Sequence, residues 1–157
     1  MSESLYCTFH SAGRLFGVPV LDVKEVTNHT TFTRVPHAPQ EVLGLVNIRG
    51  HIFLAINLSL MLGYKEHCVK ADSQFIVFKP SVGPSFGIVV DQVGEMISVP
   101  ASQSEEFSSE LPTVDGDRAV FVSYVCKLED QLLLVLDPRK FLSRIEQSIK
   151  SRVSSNS

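Results

Sequence analysis

The chain has 157 residues, 44% of them hydrophobic, and a formal net charge of −3. That is enough for one ordinary domain, or for two small sub-barrels sharing a core, and too apolar for a disordered polymer. Acidic residues outnumber basic ones, 17 to 14, which excludes a nucleic-acid binder that tracks phosphates, since such a protein needs a clustered cationic face. The opening residues MSESLYCTFH carry no basic leader before an apolar stretch, and no apolar run nears the roughly 18 to 20 residues that span a bilayer. A cytoplasmic protein with no membrane insertion is therefore expected. Cys7, Cys68 and Cys126 are odd in number and widely spaced, which suggests neither a disulfide framework nor a Cys-x-x-Cys metal knuckle.

Leu5 to His10 alternates apolar and polar residues, and Ser11-Ala12-Gly13-Arg14 follows as a turn, so a first hairpin is expected. Leu15 to Val20 returns with Phe16, Val18 and Val20 on one face, until Pro19 removes a ladder donor and marks an edge or an end. Asp22 to Val26 breaks the alternation. Thr27 to Val35 is rich in β-branched and aromatic residues and is stopped by Pro36-His37-Ala38-Pro39, because each proline restricts the residue before it.

Val42 to Gly63 is the most informative stretch. Two apolar runs flank Asn47-Ile48-Arg49-Gly50, the pattern of a β-hairpin. Arg49 at the tip reads either as a solvated turn residue or as a fork of five donors for a partner's carboxylate or backbone. Leu58 to Leu62 suits a short helical turn that Gly63 closes in a left-handed conformation.

Gln74 to Phe78 and Phe86 to Val90 are expected as strands around a proline- and glycine-rich loop, followed by a strand at Met96 to Val99. Ala101 to Arg118, with Glu105, Glu106, Glu110, Asp115 and Asp117, reads as an exposed acidic loop. Ala119 to Leu128 and Gln131 to Leu136 form a second hairpin across Glu129-Asp130. Asp137 and Pro138 then supply an N-cap and a first helical residue, and Phe141, Leu142, Ile145 and Ile149 recur at helical spacing. An amphipathic helix over residues 138–150 and a frayed, disordered tail over 151–157 are expected.

An internal repeat links the halves. Phe16-Gly17-Val18-Pro19-Val20 recurs as Phe86-Gly87-Ile88-Val89-Val90, and Val23-Lys24-Glu25-Val26 as Val93-Gly94-Glu95-Met96, both at an offset of 70 (86 − 16; 95 − 25). Ile52 to Asn57 resembles Leu132 to Asp137 at an offset of 80 (137 − 57), which places ten extra residues in the acidic loop. Two copies of one strand pattern, with first-copy motifs over about 15–63 and second-copy motifs over about 74–142, imply two similar β-subdomains within a single domain over 1–150.

Nothing in the sequence has catalytic spacing. His10, His29, His37, His51 and His67 do not form a metal-binding pattern. There is no Gly-x-Ser-x-Gly elbow, phosphate loop or dinucleotide fingerprint. Asp91 and Glu95 form a carboxylate pair better suited to capping local backbone than to acid and base work. A non-enzymatic binding module without cofactor or metal is the favoured class; a small-molecule-binding or hydrolytic β-barrel using His37, His51 or Asp91 is the alternative from another class.

From about Leu5 to Leu142 the chain resembles the CheW-like coupling proteins of bacterial chemotaxis. The likeness rests on Phe16-Gly17 with Val23-Lys24-Glu25-Val26, Arg34-Val35-Pro36 with Ala38-Pro39, Val42-Leu43-Gly44, Asn47-Ile48-Arg49-Gly50, and Phe86-Gly87-Ile88-Val89-Val90-Asp91 with Val93. It implies a mainly β fold of two intertwined five-stranded β-barrel subdomains sharing a core, with a C-terminal amphipathic helix. It also implies an adaptor at receptor arrays beneath the inner membrane, joining a chemoreceptor's cytoplasmic tip to the regulatory domain of a CheA-type histidine kinase. Ring-like self-association, or assembly with kinase domains, belongs to the same expectation. The positions matching the family's receptor-facing groove are Val23, Glu25, Gly44, Arg49, Gly87 and Val93. Leu54, Asn57 and Ser59 stand where the family commonly has proline, aspartate and a basic residue, a departure that bears on the kinase contact. An adaptor of a pilus-motility or other non-flagellar receptor system would use the same fold.

Overall fold

The computed structural model describes residues 3–64, 69–107 and 116–155. Cys68, His67, Glu110 and Asp115 lie outside the described residues. Among the described residues, eleven strands form two sheets, accompanied by two α-helices. Both early hairpins form where the turn residues place them. Strand β1 (Glu3–Ser11) turns at Ala12-Gly13 into β2 (Arg14–Pro19), and β4 (Val42–Ile48) turns at Arg49-Gly50 into β5 (His51–Asn57). Both central residues have positive φ in each turn, 52° and 75° in the first, 51° and 85° in the second. That backbone twist matches the flanking strands.

The helical turn α1 (Leu58–Met61) follows β5, capped by Asn57, whose Oδ1 accepts from the Leu60 N–H at 3.3 Å. Strands β6 (Gln74–Phe78) and β7 (Phe86–Val90) stand as expected, while β8 (Gln92–Pro100) is longer than the Met96–Val99 core of the expectation. The second hairpin pairs β10 (Val122–Lys127) with β11 (Leu132–Leu136). Helix α2 (Arg139–Ser155) then starts under Asp137, whose Oδ1 accepts from the Arg139 N–H at 3.1 Å.

Four expectations need correction. Asp22 to Val26, read as a break, lies mostly in an edge strand, β3 (Val23–Thr27), and beyond Thr27 the β-branched run to Val35 is not a strand: there only Thr33 pairs, with Leu45. The segment crosses from one sheet edge to the other, so a single ladder contact suffices. Part of the acidic loop, Ser104–Glu106, is strand β9 on the edge of β10. Helix α2 runs on to Ser155, past the expected end at Lys150, since neither glycine nor proline stops it before the tail. One sheet has six strands rather than five, in the order β8-β1-β2-β11-β10-β9; the other is β3-β6-β7-β5-β4.

The two orders superimpose once the repeat is applied. β1, β2 and β8 correspond to β6, β7 and β3, and each sheet contains one parallel pair, β2 with β11 and β5 with β7. Each copy lends its first two strands to one sheet and the remainder to the other. The five-stranded sheet is therefore residues 23–90 in one run, and the six-stranded sheet is built from both ends of the chain.

Alternate side chains feed separate cores, which is why QFIVF and LLLVL read as nearly continuous apolar runs. Ile76, Phe78, Ile88 and Val90 join Phe9, Phe16, Val18, Val125 and Leu136 in a core shared by both sheets. The opposite faces enclose small cores of their own, Phe53, Phe75, Val77 and Val89 in one sheet and Tyr6, Leu15, Cys126, Leu133 and Val135 in the other. Phe141 of α2 packs on the shared core against Phe121 and Phe78, with ring centroids 5.4 and 6.4 Å away.

Candidate partner-binding site

The five-stranded sheet curls until its edges meet. Glu25, on edge strand β3, accepts through both carboxylate oxygens from Nη2 of Arg49 at the tip of the β4–β5 hairpin. Beside this pair, Lys24 Nζ lies 5.6 Å from the Phe53 ring centroid. The tip is held by its own sequence: the Asn47 Oδ1 accepts from the Gly50 N–H at 2.9 Å. Arg49, at a positive φ that non-glycine residues rarely adopt, is fixed at the apex. Its side chain is 70% exposed against 23% for Glu25, so the pair stabilises the fold by only about 0–1 kcal/mol. It leaves a cation with unused donors facing solvent.

The other residues named from the sequence lie at different depths. Val23 and Val93 are half-buried and pack on the shared core from different sheets. The Val93 N–H donates to Gln74 Oε1 at 2.8 Å, and Gln74 Nε2 donates to Asn28 Oδ1 at 3.5 Å just past β3, the far end of that strand from Val23. Gly44 and Gly87 are buried. A Cβ on Gly44 (φ +145°) would lie 2.2 Å from the Thr33 carbonyl oxygen, and one on Gly87 2.3 Å from that of Ile76. These glycines permit close backbone approach and offer no side chain to a partner. Of the six positions, Glu25 and Arg49 meet directly.

The three departures have local tasks. Leu54 is half-buried on β5, Asn57 caps α1, and Ser59 is buried with its hydroxyl 2.5 Å from that of Ser11. Asp91 accepts from distant rather than local backbone, its Oδ2 taking the Ala12 N–H in the β1–β2 turn at 3.2 Å. Glu95 acts through its carbonyl, which accepts from the Thr8 hydroxyl at 2.6 Å. Among the described residues, no three His, Cys, Asp or Glu side chains cluster as a metal site, and no helix is long and apolar enough to cross a membrane.

One contact escaped the sequence reading. Arg139 at the start of α2 donates through Nη1 and Nη2 to the Asp22 carboxylate at 3.1 and 3.2 Å. Asp22 is buried at the crossover between the sheets, and its hydrogen bond and charge raise the pKa of the Arg139 guanidinium above its ordinary value. A separation of 117 residues left no local signal for it.

A family model described as CheW-like domain matches residues 5–146. The chemotaxis protein CheW of Helicobacter pylori is 26% identical over 129 residues, 82% of this chain and 75% of that protein. Protein PilI of Pseudomonas aeruginosa is 28% identical over 130 residues, 83% of this chain and 70% of that protein. Among solved structures, the scaffolding protein TtCheW of Thermoanaerobacter tengcongensis is similar at a TM-score of 0.75 and 26% identity, covering 86% of this chain and 89% of that one.

Proposed function

Because the chain belongs to the CheW-like domain family, whose members are adaptors of chemotaxis signalling, we propose that it couples a chemoreceptor's cytoplasmic tip to the regulatory domain of a CheA-type histidine kinase. In this reading it works in the cytoplasm, at receptor arrays beneath the inner membrane, and performs no chemistry. The observation that carries the reading is the Arg49–Glu25 pair, an exposed fork of donors held by a closed hairpin at one end of the five-stranded sheet. A receptor helix bearing a carboxylate engages the donors that Glu25 leaves unused, and Val23 and Val93 supply the apolar side of the contact. A desolvated arginine anchor exceeds about 2 kcal/mol at an interface, well above its worth in the free protein.

Titration with a receptor-tip fragment and with the kinase regulatory domain tests the proposal, and binding of both is expected. Failure to bind either fragment refutes it. The likeness to PilI favours one second reading, an adaptor of a pilus-motility receptor system. Tip fragments from the two receptor classes, titrated side by side, separate these readings by which one binds.

A further inference from the structure

We infer that the protein has a second binding site, for a small organic acid, in the cleft that the segment joining β3 to β4 makes with the five-stranded sheet, with Arg34 as the group that takes the carboxylate. Two adjoining cavities lie along this segment, of about 560 Å³ and about 370 Å³. Each is within the size range of small-molecule sites. Arg34, Gln40 and Leu43 line both cavities, so Arg34 stands where the two meet.

The lining sets the chemistry of the ligand. Phe32, Leu43 and Val69 are half-buried on the small core of the sheet, and with Leu60 they give the larger cavity an apolar wall. Thr30, Thr31 and Gln40 stand around that wall, with hydroxyls and an amide that both donate and accept. Among the described residues no aspartate or glutamate lines either cavity, and Arg34 has no hydrogen-bond or ion-pair partner. By contrast, Arg49 is held by Glu25 and Arg139 by Asp22. A cation with a fork of donors beside an apolar wall fits a molecule that has a carboxylate at one end and an apolar body behind it. The body lies in the larger cavity, which holds Phe32, Leu60 and Val69.

The cleft is shaped before any ligand arrives. Thr33 and Leu45 exchange two N–H···O bonds of 2.8 Å, the Glu41 carbonyl accepts from the Asn57 N–H at 2.7 Å, and the Phe32 ring lies edge-on to Phe75 with centroids 5.8 Å apart. Between these ties the chain turns at residues 35–38, where the Ala38 N–H donates to the Val35 carbonyl at 3.3 Å and His37 takes a φ of 63°, in a turn position that usually holds glycine. A segment tied at both ends loses little freedom on binding, so the ordering cost falls on the ligand and the Arg34 side chain. Arg34 is exposed, and water competes for it, so the affinity is modest.

The inference does not rest on the adaptor reading, since the site uses the first two residues of β4 whereas Arg49 follows the last. The test is an amide chemical-shift titration by NMR on the whole chain, with phenylbutyrate as the probe and phenylbutanol, the same body without the charge, as its control. Phenylbutyrate should give saturable shifts concentrated in residues 30–34 and 40–43, and phenylbutanol should bind several-fold more weakly. Arg34→Gln should weaken phenylbutyrate about tenfold through loss of a charge-assisted hydrogen bond, with a wild-type spectrum outside the cleft as the check on its fold. The inference is overturned by an absence of saturable shifts, by shifts centred elsewhere on the surface, by phenylbutanol binding as tightly as phenylbutyrate, or by Arg34→Gln binding like the wild type. An acidic peptide that saturates these residues where phenylbutyrate does not also overturns it, and gives the cleft to a protein partner.

Discussion

The two sheets are copies of one design that end differently. In the five-stranded sheet the hairpin tip is Arg49-Gly50, and its arginine reaches Glu25 on the opposite edge. In the six-stranded sheet the corresponding tip is Glu129-Asp130, and the residue matching Glu25 by the repeat is Glu95 on β8. Two acidic sites cannot close that sheet by an ion pair. It is extended instead by β9, and an exposed Lys127–Glu105 pair at 3.4 Å links β9 to β10. Features shared by both copies therefore belong to the architecture, whereas a feature confined to one copy is a candidate for function. By that criterion the Arg49–Glu25 tip stands out and the hairpin beneath it does not.

The glycines give this comparison its sharpest test. Gly17 and Gly87 occupy the same repeat position, yet an added Cβ meets the end of the flexible Leu133 side chain at 3.2 Å in the first and the Ile76 backbone oxygen at 2.3 Å in the second. Gly87→Ala should cost about 3 kcal/mol or more, because a backbone oxygen cannot rotate away, and Gly17→Ala about 1 kcal/mol. Denaturant unfolding of both variants measures the gap, and equal costs would mean the two positions are packed alike.

The helices that follow each copy differ next. α1 is four residues long, whereas α2 is 17 and is tied by Arg139 to a buried Asp22. Arg139→Ala leaves that carboxylate without its charged donors. Since Arg139 is 51% exposed, water softens the loss, and about 1–2 kcal/mol is expected in denaturant unfolding. No measurable change would reduce the pair to a surface contact.

A smaller difference concerns alkaline pH. Burial raises the pKa values of Tyr6, Cys7 and Cys126, all in the six-stranded sheet, above their ordinary ranges, whereas Ile76 and Val77 stand at the matching positions of β6. These groups stay neutral in the folded protein after they begin to ionise in the unfolded chain. Their contribution is complete below the unfolded thiol value of 9.0 and is lost as pH rises through the folded values. Hydrogen exchange above that pH should show protection falling in β1 and β10 before β6 and β7, and Cys7→Ala should delay the loss. Simultaneous loss in both sheets would argue against local titration.

Much of this was legible in the sequence. The hairpins were, because Ala12-Gly13, Arg49-Gly50 and Glu129-Asp130 interrupt strongly apolar runs, and so was the repeat. β3 was not, because its more buried positions are Val23, Glu25 and Thr27 while Val26 faces out, so burial and hydropathy disagree. β9 consists of Ser104, Glu105 and Glu106, which carry no strand signal and pair only because β10 offers an edge. The exchange of strands between sheets is a matter of which edge a strand joins, and periodicity says nothing of that. Of the six candidate positions, the Glu25–Arg49 contact was foreseeable as a charge pair. The burial of Gly44 and Gly87 became visible only with the backbone that crowds them.

The smallest effect on stability is expected where the effect on binding is largest. Arg49→Ala should change unfolding by no more than about 1 kcal/mol, given an ion pair whose arginine is mostly solvated. The decisive measurement is a calorimetric titration of a receptor-tip fragment into the wild type, Arg49→Ala and Glu129→Ala, the two tips of one repeated hairpin. A loss of about tenfold or more in affinity for Arg49→Ala, equivalent to about 1.4 kcal/mol, with Glu129→Ala binding like the wild type, is the expected result. Unchanged affinity in Arg49→Ala, or equal losses in both variants, would contradict the assignment of the arginine-tipped hairpin as the partner-facing surface.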